Sequence, residues 1–129
     1  MTRLVWLCLF CLSILPAACD DDDDDNDVVE PGPVVPQVVE VSLLNDLFTP
    51  DDLTVTIGTT VRWINDDEDE HTVTSGIDNS DPNAGIAFDS DVLSPGDVYE
   101  VDFINLGDFD YFCQFHVSEG MVGVVRVVP

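Results

Sequence analysis

Tyr111-Phe112-Cys113-Gln114-Phe115-His116-Val117-Ser118-Glu119-Gly120-Met121 is the stretch on which the reading of this chain turns. It places a thiolate, an imidazole and a thioether at the spacing C-x2-H-x4-M. Soft sulfur combined with imidazole selects copper or zinc over magnesium, calcium or manganese. The thioether leans toward copper, because zinc closes its structural sites with cysteine, histidine and carboxylate. Three ligands on one loop still need a fourth. The chain has only two histidines, so His71 is the remaining imidazole that can complete the set.

Outward from that loop the pattern is short strands. In Asp108-Phe109-Asp110-Tyr111-Phe112-Cys113 the aromatic residues Phe109 and Tyr111 alternate with aspartates. Strand alternation therefore points Phe109, Tyr111 and Cys113 toward one interior face. On the other side of the loop, Met121 shares the parity of Val125 and Val127 in a strand running Met121 to Val128. Both sulfurs are thus expected to point inward from strand ends. Upstream, Val39, Val41 and Leu43 alternate with Glu40 and Ser42, and Leu53, Val55 and Ile57 alternate with Thr54 and Thr56. Thr60 to Asn65, His71 to Ser75 and Val98 to Phe103 complete the set, with Gly58 and Pro95-Gly96 as turns. No window shows the helical period, and short strands broken by Gly and Pro predict an all-β sandwich or barrel. Residues 38–129 are a normal size for one such domain.

Taken singly, each ligand has an ordinary explanation. Met121 would be core filler, His71 a surface histidine beside acids, and Cys113 a buried small hydrophobe. Together they make His2Cys with a weak axial Met, the donor set of blue-copper electron-transfer sites. With Tyr111-x-Cys113-x2-His116-x3-Gly120-Met121 and Trp63-Ile64-Asn65-x5-His71, residues 38–129 resemble the cupredoxins of the plastocyanin, amicyanin and halocyanin type.

That resemblance implies a Greek-key β-sandwich holding one type 1 copper ion on His71, Cys113, His116 and Met121. It implies that Thr72, the residue after the first histidine, ties the two ligand loops together through hydrogen bonds. It makes His116 the ligand nearest solvent, with Phe115, Val117 and Val122 as its apolar surroundings. Asn65-x5-His71 has the loop length typical of amicyanin-like proteins. Glu70 and Phe115 stand where the family often has proline, which bears on loop rigidity and potential rather than on the metal.

Four protein ligands leave no open position for water or substrate, so Lewis-acid or hydroxide chemistry is not expected. One-electron exchange between Cu(I) and Cu(II) is, and the chain is read as an electron carrier rather than an enzyme. The alternative is a periplasmic copper storage or delivery protein, though carriers of the ion usually use open Met- or Cys-rich sites. An oxidase or nitrite reductase subunit would need further metal ligands. A Cys113–His116 nucleophile pair lacks an evident orienting partner or oxyanion device.

The N-terminus reads as an export signal. Arg3 precedes the apolar run Leu4 to Leu15 and the small residues Ala17-Ala18. Such a core is about 7 to 15 residues, shorter than the roughly 20 of a membrane span. Cys19 sits where a bacterial lipoprotein signal places its lipid-modified cysteine, giving an exported protein anchored to a membrane. Pro16 stands where leucine is usual, so ordinary cleavage and a soluble protein are the alternative. Asp20 to Gln37, with its aspartate run and Pro31, Pro33 and Pro36, reads as an extended, disordered tether. It lacks the spaced ligands and glycine turn of a calcium loop. Cys8 and Cys11 leave with the signal and Cys19 is taken by lipid. Cys113 then has no disulfide partner in an oxidising compartment, and metal ligation would protect it.

Charge is one-sided: 27 acidic residues against three Lys+Arg give a formal net charge of −24. That excludes nucleic acid as a partner. Asp66 to Glu70 run straight into His71, placing negative charge beside the expected metal end. A basic redox protein, a c-type cytochrome or a terminal reductase or oxidase, is the expected partner of a monomer; solubility or a saline habitat is the other explanation of the charge.

Overall fold

The computed structural model describes residues 36–129. The expected export signal, Cys19 and the expected tether as far as residue 35 lie outside the described residues. Eight strands follow in order: β1 (Val38–Leu44), β2 (Leu47–Thr49), β3 (Asp52–Thr56), β4 (Thr59–Asn65), β5 (Thr74–Ser75), β6 (Val98–Phe103), β7 (Gly107–Phe112) and β8 (Val122–Val128). They form two sheets, β2-β1-β4-β6 and β3-β8-β7-β5. β1 runs parallel to β4 and β3 parallel to β8, while the remaining pairs are antiparallel. From β2 to β7 the chain changes sheet at each step, which is the Greek-key sandwich expected from the sequence.

Alternation drives this arrangement. Val61, Trp63 and Asn65 on β4 are buried, and Arg62 between them turns outward to Glu40 and Glu100. Trp63 sits at the centre, its ring 5.4 Å from that of Tyr111 on the opposite sheet and 5.8 Å from that of Phe88. An indole of this size dominates the local burial energy. Val41, Leu43, Phe103, Val125 and Val127 complete the same core.

Two details differ from the sequence reading. β2 was not anticipated, because three residues are too few to show a period. The strand expected over His71 to Ser75 is a ladder only at Thr74–Ser75; His71 makes an isolated bridge to Leu93 instead. All five of these residues are buried, so no inside–outside alternation marks the segment.

Candidate metal centre

β7 ends at Phe112 and β8 begins at Val122, so the C-x2-H-x4-M loop closes one end of the β7–β8 hairpin. Its ends are tied by the Cys113 N–H donating to the Met121 carbonyl at 3.1 Å. Inside it the His116 carbonyl accepts from both Glu119 and Met121, each at 3.1 Å. The turn Val117–Glu119 is a single 3-10 coil, and Gly120 ends it in the left-handed region at φ 93. Glycine fits that terminal position without the Cβ penalty other residues carry. Cys113 and Met121 are both buried, as their parity predicted.

His71 arrives from the other sheet's β4 through the loop 66–70. Asn65 holds that loop from within: its Nδ2 donates to the carbonyls of Asp69 and Leu93, both at 2.9 Å, and its Oδ1 accepts from Asp67 N–H at 3.0 Å. A buried polar side chain satisfied on both ends is a rigid strut. Exchange of N–H···O bonds between the His71 and Leu93 backbones, at 3.1 and 2.8 Å, fixes the imidazole further.

These supports bring three donor atoms together. Cys113 Sγ lies 3.8 Å from His71 Nδ1 and 3.6 Å from His116 Nδ1, and the two Nδ1 atoms are 3.1 Å apart. A circle through three points so spaced has a radius of about 2.0 Å, close to the metal–nitrogen and metal–sulfur distances of roughly 2.0 and 2.3 Å known for zinc. On their outer sides both rings face carboxylates, His71 Nε2 at 3.3 Å from Asp67 and His116 Nε2 at 3.5 Å from Asp46. A neutral imidazole that donates from Nε2 has its lone pair on Nδ1. Two lone pairs and a sulfur converging on one point form an arrangement that a cation stabilises. The donor set therefore fits a soft metal ion, and buried Met121, a thioether closing the same loop, matches copper better than zinc.

Thr72 connects the two ligand segments as the family resemblance implied. Its N–H donates to Cys113 Sγ at 3.4 Å, and its hydroxyl accepts from Gln114 N–H at 2.9 Å. Thr74 extends the network, donating to Thr72 Oγ1 at 3.1 Å and accepting from Gln114 Nε2 at 2.9 Å.

The acidic run before His71 is not uniform. Asp66 accepts from Ser42 Oγ at 2.6 Å, whereas Asp67 turns inward to the His71 ring. The Glu68 N–H, donating to Asp67, holds this carboxyl below its ordinary range, with the His71 contact a smaller cause after the opposing effect of burial. Glu68, Asp69 and Glu70 are exposed. Around His116, Phe115 is 49% exposed and Val122 is exposed too, while Val117 is half-buried. Sequence reasoning missed Asp46, Asp67 and the strut role of Asn65. The buried asparagine sits inside the quoted motif; the aspartates carry no local signal of their own.

Residues 39–128 match the family model described as copper binding proteins of the plastocyanin/azurin family. Plastocyanin of Scenedesmus fuscus is 33% identical over 84 residues, covering 63% of this chain and 86% of the relative. Among solved structures, a purple cupredoxin from Nitrosopumilus maritimus superimposes with a TM-score of 0.60 at 31% identity, covering 70% of this chain and 99% of the other. An oxidized amicyanin mutant gives a TM-score of 0.59 at 25% identity, covering 74% and 87%.

Proposed function

The chain belongs to the plastocyanin/azurin family of copper-binding proteins, and on that premise we propose that it carries single electrons between redox partners, using one copper ion held by His71, Cys113, His116 and Met121. The observation that supports this best is the Sγ–Nδ1–Nδ1 triangle, with sides of 3.1 to 3.8 Å and two imidazoles backed by carboxylates. Copper, when bound, supplies the Cu(I)/Cu(II) couple.

The residues do the rest. Cys113 provides the thiolate, whose charge is shared with the Thr72 N–H. His71 is buried, its backbone bonded to Leu93 and its loop held by Asn65, which restrains its reorganisation when the charge of the site changes. Met121, held by the Cys113 and His116 backbones, would supply the weak thioether donor. His116 has a side chain 23% exposed and is the ligand edge nearest solvent, so an electron leaves or enters there. Exposed Phe115 and Val122 offer an apolar landing surface beside it. A rigid, four-ligand site without a substrate position suits outer-sphere transfer better than catalysis.

In this reading the protein is exported and tethered to a membrane through lipidated Cys19. Its acidic surface guides a basic partner, a c-type cytochrome or a terminal reductase or oxidase, to the metal end. The test is repeated reduction and oxidation in the presence of a Cu(I) chelator. A carrier keeps its copper through many cycles while passing electrons to cytochrome c. Stoichiometric loss of copper to the chelator within the first cycle would make it a delivery protein instead.

A further inference from the structure

The hairpin joining β1 to β2 reaches over the metal end. Its two connecting residues, Asn45 and Asp46, both lie in the left-handed region at φ 57. This is the tight two-residue connection that matches strand twist, and asparagine and aspartate tolerate it better than other residues with a Cβ. It carries the Asp46 carboxylate to the loop that bears His116. Asp46 Oδ1 lies 3.5 Å from His116 Nε2, and Asp46 N–H donates to Asp67 Oδ2 at 3.4 Å. Asp67 Oδ2 is in turn 3.3 Å from His71 Nε2. One hairpin tip thus links the outer faces of both imidazoles.

The state of Asp46 Oδ1 is informative. The side chain as a whole is 43% exposed, yet this oxygen is buried without a partner at ordinary hydrogen-bond length. A buried acceptor left unpaired is costly. The His116 Nε2 it faces is a ring nitrogen whose proton the inward Nδ1 lone pair requires, and a closing of a few tenths of an ångström completes the bond.

We propose that Asp46 is a positioning residue for His116, accepting its Nε2–H and, together with Asp67 on His71, biasing the site toward the oxidised ion. The inference rests on the copper reading above. A histidine that ligates metal donates its other ring N–H to an outer acceptor, and a carboxylate there raises the basicity of the ligand. The divalent ion gains more from two nearby carboxylates than the monovalent ion does. His71 is fixed by burial, but His116 is partly open to solvent, and without Asp46 its ring is free to pair with water or to turn. Asp46 therefore matters most at the imidazole through which the electron passes. No sequence motif announces it, since it comes from a separate hairpin.

Spectroelectrochemistry on the copper-loaded protein tests this with Asp46→Asn, Asp46→Gly and the remote Asp108→Asn at the far end of β7. Asn removes the charge, and Gly removes charge and acceptor while keeping the left-handed turn. Both are expected to weaken the preference for Cu(II) about tenfold, within the range typical of outer-sphere partners, which is a rise of about 59 mV for one electron. Asp108→Asn is expected to shift the potential far less. A second readout uses the parent protein in its diamagnetic reduced form: His116 Nε2–H should give a slowly exchanging NMR resonance that disappears in Asp46→Gly. Equal potentials for Asp46→Asn and Asp108→Asn, or a His116 Nε2–H that exchanges with water in the parent, would overturn the role of Asp46. A parent that binds no copper would instead overturn the function it rests on.

Discussion

Thr72 donates its backbone N–H to the sulfur of Cys113 across 3.4 Å, and its hydroxyl takes the N–H of Gln114 at 2.9 Å, so one residue braces both ligand segments. Thr72→Val keeps the shape and the N–H···S bond but leaves Gln114 N–H and Thr74 Oγ1 without that partner. Gln114 is exposed and Thr74 Oγ1 keeps Asp89 Oδ1 as an acceptor at 3.3 Å, so the loss is that of an ordinary net hydrogen bond, roughly 0.5–1.5 kcal/mol. We expect the urea-derived unfolding free energy of the copper-free protein to fall by that amount, with a correspondingly lower midpoint, and faster copper release to a chelator. Unchanged values for both would show that the loops hold together without the hydroxyl.

Tyr111 sets an alkaline limit on stability. Burial pushes its hydroxyl up to about 12. The unfolded chain loses that proton near 10, so between about 10 and 12 the folded state binds more protons and stability falls as pH rises; below 10 the group contributes no slope. Two pH units correspond to roughly 2.7 kcal/mol. Urea unfolding of parent and Tyr111→Phe should agree in slope up to pH 10 and diverge above it, with Tyr99, also raised chiefly by burial, leaving a residual slope in both. Parallel curves to pH 12 would contradict the assignment.

Gly123 faces Tyr111 across the β7–β8 ladder, and a side chain there would clash with the Cζ, Oη and Cε1 atoms of the tyrosine. Gly123→Ala must therefore displace a ring packed edge-on against Phe48 and Trp63. Overpacking of this kind costs about 1–3 kcal/mol. A thermal midpoint equal to that of the parent would mean the ring moves freely.

Charge at the metal end is tested by rate. Stopped-flow reduction by a basic cytochrome should slow steeply with salt, since the screening length is about 10 Å at 0.1 M. Changing Glu68, Asp69 and Glu70 to Gln and Asn, while leaving Asp66 and Asp67 in their hydrogen bonds, should make that dependence shallower. Identical salt slopes would reduce the run to a solvated loop.

How much of this was legible beforehand depends on range. The alternation from Asp108 to Cys113 is a local property, and it placed Tyr111 and Cys113 inside, where they are. The same periodicity left a sandwich or a barrel open, and the two-sheet arrangement came from the family resemblance. Pairing His71 with Cys113 needed the residue inventory, because no local pattern connects a loop after β4 to the end of β7. The hairpin contact of Asp46 lay beyond reach altogether. It depends on two left-handed residues and a three-residue strand, neither of which leaves a periodic trace. The acidic run before His71 read as uniform charge, whereas backbone geometry divides it into an inward Asp67 and an outward Glu68 to Glu70.

A type 1 copper site built on Cys113 is open to direct test by visible absorption during titration of the copper-free protein with Cu(II). An intense thiolate-to-Cu(II) charge-transfer band should appear, saturate at one copper per chain and bleach with ascorbate. Cys113→Ser should abolish it, and Met121→Leu should keep it at a higher potential, since loss of the axial donor disfavours Cu(II). A protein that stays colourless with one equivalent of Cu(II), or that retains the band in Cys113→Ser, would contradict such a site.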